Sequence, residues 1–342
     1  MKKLKVAVAG ATGAVGLEII KMLENRNFPV ESIKFLATER SVGKKLIYKG
    51  KEVSVELLKK NSGKGINIAL FSAGATVSKE FAPCFASDGC FVIDNSSAWR
   101  MNKEIPLVVP EVNPHDLKKE KKLIANPNCS TIQMVVALKP LHNFAKIKRV
   151  IVSTYQAVSG AGQKGINELK EQTKAWAKGE IIPEANKFQY QIAFNLIPQI
   201  DVFTENGYTK EEMKMTNETK KIIGDNSIEV SATCVRVPVF RSHSESVWIE
   251  TEKPLSPGQA KELLSKTDGI QLLDDPENKK YPMPLFAENM QITYVGRIRS
   301  DISTISTKNN ALTFWIVSDN LLKGAALNAV QIAETLLKKE LL

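Results

Sequence analysis

Leu4-Lys5-Val6-Ala7-Val8-Ala9-Gly10-Ala11-Thr12-Gly13-Ala14-Val15-Gly16 is the stretch that decides the fold. Its first half is a nearly continuous apolar run, the pattern of a strand buried on both faces of a parallel sheet. A glycine turn follows, and then a helical apolar pattern from Leu17 to Leu23. Strand, glycine turn and helix N-terminus together make a phosphate cradle. Small residues let the backbone approach a pyrophosphate, and the first helical N–H groups meet its oxygens. The spacing is G-x-x-G-x-x-G, one residue longer than the usual fingerprint, and in this context it predicts dinucleotide binding.

The next predicted strand, Ile33 to Ala37, ends in Thr38-Glu39-Arg40-Ser41-Val42-Gly43-Lys44. In a dinucleotide site this is where the adenosine ribose is read. Glu39 suits the 2′-hydroxyl of NAD. Arg40, Ser41 and Lys44 suit the 2′-phosphate of NADP, and NADP is favoured. Ile66 to Phe71 and Phe91 to Asn95 repeat the buried-strand pattern, and Arg100 follows the second of them. Ligands of open α/β sheets lie beyond such strand ends, so Arg100 is either an anion-binding residue or half of a surface salt bridge.

Ala125-Asn126-Pro127-Asn128-Cys129-Ser130-Thr131 closes this α/β pattern and opens an apolar helix, Ile132 to Leu141, expected to stop near Pro140. Pro127 forces an extended entry, and Asn128 is a good N-cap. Cys129 then falls in the first helical turn, where the dipole and unpaired N–H groups favour a thiolate and can hold a neighbouring oxyanion. Cys129 is thus a candidate covalent nucleophile, the alternative being a packing thiol. Cys84 and Cys90 sit among apolar residues and read as inert.

Beyond Cys129 the pattern changes from βα alternation to longer strands with irregular insertions, which marks a second domain. Val150 to Tyr155 is a strand, 156–162 a glycine-rich loop and Gly165 to Ala177 a helix; 183–208 is irregular. Glu211, Lys214 and Glu218 share one helical face, and periodicity alone reads it as an exposed, ion-paired surface. Ile228 to Val239 is a strand carrying Arg236, continued through Phe240-Arg241-Ser242-His243-Ser244. His243, among polar neighbours, is the best general acid/base candidate, the alternative being a structural histidine. Ala311 to Val317 is a late strand, and Leu321 to Leu337 an amphipathic helix able to return to the first domain.

The 342 residues suffice for two domains, and 43% hydrophobic with 25% charged residues is ordinary globular composition. No apolar run approaches the roughly 20 residues of a membrane helix, so no membrane partner is expected. The net charge of +10 comes from lysines in short clusters with acids interleaved, as at Glu120, and no aromatic platform accompanies them. That describes solvated faces, not a nucleic-acid site, and a positive field helps gather anionic small substrates. The N-terminus shows no cleavable signal pattern. The cysteines lack zinc-type spacing, so no metal is expected, and the chain reads as cytoplasmic with reduced thiols.

Motifs in order along nearly the whole chain resemble one family: GATGAVG (10–16), LATERSVGK (36–44), DNSSAWRM (94–101), NPNCST (126–131), YQAVSGAG (155–162), NLIPQID (195–201), EEMK (211–214), RVPVFRSHSESV (236–247) and SDNLLKGAA (318–326). They are similar to aspartate-β-semialdehyde dehydrogenase, whose fold is like that of glyceraldehyde-3-phosphate dehydrogenase. The resemblance implies an α/β protein with a Rossmann-type NADP-binding domain, 1–128 completed by a C-terminal helix 319–342. A catalytic and dimerisation domain, 129–318, would be α+β with a mainly antiparallel sheet. It implies NADPH-dependent reduction of aspartyl phosphate to aspartate semialdehyde and phosphate, toward diaminopimelate, lysine, threonine, methionine and isoleucine, in a homodimer. Cys129 would form the acyl-thioester, His243 serve as acid/base and Gln156 orient substrate and intermediate. Arg236 would pair with the substrate carboxylate, Arg100 and Lys214 hold phosphate, and Glu211 lie near the substrate amine. Gly10, Thr12, Gly13, Ala14, Val15, Thr38, Arg40, Ser41, Ser159, Gly160 and Asn320 would contact NADP(H). The alternatives are N-acetyl-glutamyl-phosphate reductase, whose nucleophilic Cys precedes an aromatic and a proline where Ser130-Thr131 stand here, and a non-catalytic NADP-binding regulator.

Overall fold

The computed structural model describes residues 3–303 and 310–342. The chain divides into two compact units, Met1–Asn128 with Ala325–Leu342, and Cys129–Gly324. In the first unit β1 (Leu4–Ala9) leads into α1 (Ala14–Asn25), followed by β2 (Val30–Ala37), β3 (Lys45–Tyr48), β4 (Lys51–Leu57), β5 (Ile68–Phe71), α2 (Ala75–Ser87), β6 (Phe91–Asp94) and β7 (Leu123–Ala125). These form a seven-stranded sheet in the order β3-β4-β2-β1-β5-β6-β7. The apolar run of β1 is fully buried except for Lys5, as a central parallel strand requires.

Because β1 pairs in parallel with β2 on one side and β5 on the other, the chain order reverses at its C-terminal end. That is the switch point at which open α/β sheets bind ligands. The β3–β4 hairpin is antiparallel and was not apparent in the sequence. It is an edge ribbon with Lys45, Ile47, Lys51, Glu52, Ser54 and Glu56 exposed, so the apolar alternation that signals a strand is weak.

The C-terminal helix, Leu327–Lys338, buries Leu327, Val330, Ile332, Ala333 and Leu336 within the first unit. Arg26 reaches Glu334 through Nε and Nη2, both at 2.7 Å. Asn328 Nδ2 donates to the Val108 carbonyl at 3.0 Å and to Asn126 Oδ1 at 2.7 Å. The regular helix starts later than the apolar pattern predicted, because Leu322–Ala326 forms a π-helical turn.

The second unit begins with α3 (Cys129–Ala145), β8 (Ile147–Gln156), α4 (Gln163–Ala177), α5 (Lys210–Ile223), β9 (Glu229–Arg236) and β10 (His243–Thr251). It continues through α6 (Pro257–Ser265), β11 (Ile270–Leu272), α7 (Pro284–Ala287), β12 (Thr293–Ser300) and β13 (Ala311–Ser318). The six-stranded sheet runs β11-β12-β13-β10-β8-β9. Its three central pairings are antiparallel, and the outer pairs β8/β9 and β11/β12 are parallel.

Three local expectations are corrected. Helix α3 passes through Pro140 and ends at Ala145. It is buried on nearly every side from Ser130 to Leu138, and burial of Leu138 and Leu141, each contributing about 1.5–3 kcal/mol, outweighs the one backbone hydrogen bond proline removes. The strand carrying Arg236 ends at that residue, and 237–242 is a turn, with Ser242 in the left-handed region at φ 74°. The face of α5 holding Glu211 and Glu218 is buried, with Lys214 half-buried. Among the described residues no helix is long and apolar enough to cross a membrane.

Candidate active site

The antiparallel and parallel registers of the second sheet bring chemistry from distant sequence to one sheet end. Gln156, last in β8, pairs with Arg236, last in β9. His243, first in β10, pairs with Ser318, last in β13, and Asn320 follows two residues on. Helix α3 begins with Cys129 and has no acidic side chain in its first turn to oppose an anion there.

His243 is fully buried. The Ala157 N–H donates to its Nδ1 at 3.0 Å, so the neutral ring carries its proton on Nε2. Among the described residues Nε2 meets no hydrogen-bond partner. Burial first, and the Arg236 charge second, push the imidazole well below its ordinary range, so the ring stays neutral. Arg236 is also buried and donates from Nη1 to the Ala157 carbonyl at 2.7 Å. Burial lowers its pKa, while Glu211 and the Cys129 sulfur act in the opposite direction. Gly160 lies against both residues. A Cβ there would stand 2.9 Å from Arg236 Nη1 and 3.2 Å from His243 Nε2.

Gln156 donates to Glu211 Oε1 at 3.3 Å. Lys214 donates to Glu211 Oε2 at 3.1 Å and to Asp201 Oδ2 at 2.9 Å. Burial disfavours the Lys214 charge, but Glu211 and Asp201 together outweigh it and hold the ammonium charged. Asn320 Oδ1 accepts from Ser159 Oγ at 3.0 Å and from the Ser242 N–H at 2.9 Å. The fold thus assembles Cys129, Gln156, Ser159, Gly160, Glu211, Lys214, Arg236, His243 and Asn320 within the second unit.

Three contributors escaped the sequence reading. Asp201 anchors Lys214. Asp319 accepts from Arg241 Nε and the Asn289 N–H at 2.7 Å each, and from the Leu321 N–H at 2.9 Å, which fixes the backbone around Asn320. Gly324 sits so close to α3 that a Cβ would fall 2.7 Å from Cys129 Cβ. Only the SDNLLKGAA run hinted at the last two.

In the first unit, Gly10 has φ 80° and a Cβ on it would meet the Ser72 carbonyl at 2.4 Å. Gly16 would meet the Gly10 carbonyl at 2.2 Å, so both glycines are required by close packing of the turn. Gly13 precedes α1 with no side-chain cap, an arrangement in which the first helical N–H groups suit a pyrophosphate. Thr12 Oγ1 donates to Ser41 Oγ at 3.0 Å, tying this turn to the segment after β2. Thr38 and Arg40 there are exposed. Arg100 is buried and held by the Asn126 carbonyl at 3.0 Å and the Asn95 carbonyl at 2.9 Å.

These two units define a class of protein. Residues 5–120 match the family model described as semialdehyde dehydrogenase, NAD binding domain, and residues 138–323 that described as semialdehyde dehydrogenase, dimerisation domain. The chain is 60% identical to an aspartate-semialdehyde dehydrogenase of Aquifex aeolicus over 99% of both chains. Aspartate semialdehyde dehydrogenase II of Vibrio cholerae, solved in complex with ASA, superposes with a TM-score of 0.94 at 48% identity, over 99% of both chains. The enzyme of Candida albicans, solved with NADP, gives 0.77 at 25% identity over the full length of both. The chain belongs to the aspartate-semialdehyde dehydrogenase family, oxidoreductases of amino-acid biosynthesis.

Proposed function

We propose that the chain reduces L-4-aspartyl phosphate to L-aspartate 4-semialdehyde with NADPH, through an acyl-thioester on Cys129. The observation that carries the reading is the placement of Cys129 at the first position of a buried helix with no acidic side chain in its first turn. The thiolate attacks the acyl carbon, the C–S bond forms, and the C–O bond to phosphate breaks. Lys214, a secured cation, and Arg100, fixed by carbonyls, are suited to hold the phosphate. Bound NADPH supplies the hydride that reduces the thioester carbonyl. The first N–H groups of α3 and His243 Nε2–H stabilise the resulting oxyanion, and His243 is the site of proton transfer as the C–S bond breaks and the aldehyde leaves. Arg236 binds the substrate carboxylate, Gln156 orients the acyl group and the thioester, and Glu211, which accepts from Gln156, lies toward the substrate amine.

NADP is favoured over NAD because Arg40, Ser41 and Lys44 follow β2, and a Candida relative was solved with NADP. The product feeds diaminopimelate, lysine, threonine, methionine and isoleucine synthesis. A homodimer formed through the second unit and a cytoplasmic setting complete the reading, in keeping with its dimerisation-domain match and with cysteines that form no disulfide among the described residues. The test runs the reaction backwards: aspartate semialdehyde and phosphate with NADP or NAD, following reduced cofactor, in parallel with N-acetyl-glutamate semialdehyde. Phosphate-dependent signal with the first aldehyde and NADP is expected, with Cys129→Ala silent yet still binding NADPH. Signal only with the second aldehyde, or full turnover in Cys129→Ala, would overturn the assignment.

A further inference from the structure

Behind the candidate site lies a carboxyl group that the proposed chemistry does not use. Glu245 is the third residue of β10, paired with Thr154 on β8 and Ile316 on β13, and is fully buried. Neither of its oxygens makes a hydrogen bond, and no ion pair reaches it among the described residues. Gln133 of α3 is its polar neighbour. That amide donates from Nε2 to the His243 carbonyl at 3.3 Å, and its Oε1 is likewise buried without a partner. Gln133 stands one helical turn beyond Cys129, on the same face of α3.

The two Glu245 oxygens and Gln133 Oε1 are buried acceptors that no donor satisfies among the described residues, and ionising the carboxylate would make the arrangement costlier. A single proton resolves it. A neutral Glu245 would have an O–H to give to Gln133 Oε1, and that bond would hold the amide with Nε2 toward the His243 carbonyl. We propose that Glu245 is a positioning residue: as a neutral acid it locks Gln133, and Gln133 in turn couples the Cys129 helix to the strand that presents His243. Burial pushes Glu245 well above the usual carboxylate range, which Gln133 only partly offsets. The inference rests on the roles assigned above to Cys129 and His243.

The experiment compares Glu245→Gln with Glu245→Leu in the full-length enzyme, reading kcat, KM and the rate at which iodoacetamide alkylates Cys129. Thermal unfolding of both variants sets the temperature at which each is fully folded. Glutamine supplies an N–H donor in place of the acid O–H; leucine fills similar space with none. The expected result is rescue by glutamine, while leucine lowers kcat by about 10- to 100-fold with KM little changed and slows alkylation. Equal activity of the leucine variant would show that the site only needs filling. Equal damage by both would show that the ionised carboxylate is needed. Either result overturns the proposal. Cys129→Ala run alongside separates a failure of this inference from a failure of the site assignment, since turnover in that variant would remove the nucleophile's role whatever Glu245 does.

Discussion

At the scale of single residues, the site is shaped as much by what is missing as by what reacts. Gly324 leaves room for Cys129 where a methyl group would overlap its Cβ. Gly324→Ala therefore displaces the sulfur, and a shift of about 1 Å lowers kcat on the order of 100-fold while cofactor affinity is retained; steady-state kinetics with a fluorescence titration of NADPH checks both. His243 makes a pH prediction of definite sign. Its folded pKa is depressed well below 6.5, so the stability it contributes is present above that pH and lost as pH falls toward the folded value. In urea unfolding between about pH 7.5 and about pH 5 this lowers the midpoint, against the opposite contribution of Glu245, whose raised pKa stabilises the fold as pH falls. His243→Asn, whose Oδ1 can still accept from the Ala157 N–H, should remove the His243 share, so its midpoint falls less over this range than that of the parent chain, while His142, which burial also depresses, keeps its share. Cys129 and His243 could be singled out as candidates because a helix start and a polar setting are local features of sequence, whereas the role proposed for Arg236 came only with the family resemblance. Gly324, Asp201 and Gln133 could not be singled out, because each matters through a contact with a residue far along the chain.

At the scale of elements, α5 shows how a polar sequence comes to lie inside. Its N-cap Thr209 accepts from the Glu212 N–H at 3.3 Å, and Glu212 Oε2 accepts from the Thr209 N–H at 2.7 Å. This capping box starts the helix one turn before Lys214, and so sets the direction in which Glu211 and Lys214 point. Thr209→Ala should cost about 1 kcal/mol of stability in denaturant unfolding, with a larger relative loss of phosphate-dependent turnover than of NADPH binding. Helical spacing showed that Glu211, Lys214 and Glu218 share a face, but spacing cannot say that the face is covered. The buried strands β1, β5 and β6 were readable because continuous apolar runs have few other uses. The β3–β4 hairpin was not, since an edge ribbon keeps its polar side chains in water.

At the scale of the whole molecule, the second unit exposes more apolar surface than a solitary unit needs. Trp176 packs on Phe194 with ring centroids 4.7 Å apart, yet both remain exposed. Ile181 is 95% exposed, and Tyr190, Leu196, Val202 and Phe203 along the same irregular stretch are exposed too. Exposed apolar groups in such numbers are what the proposed dimer would cover. Phe194→Asp combined with Leu196→Asp should shift the proposed dimer to monomer in sedimentation velocity, with the far-UV spectrum unchanged; an unaltered sedimentation coefficient would place the interface elsewhere.

The first unit is assembled from both ends of the chain, Met1–Asn128 and Ala325–Leu342. A ribosome makes the sheet early and the helix that covers part of it last. Until Leu327, Val330, Ile332, Ala333 and Leu336 emerge, their apolar seat on the nascent unit stays open to water, and Arg26 waits for Glu334. The cofactor-binding half, although first to be translated, is the last to be finished. A stop codon anywhere in the final helix would therefore strand a completed second unit beside an open first one, a species exposed to chaperones and proteases.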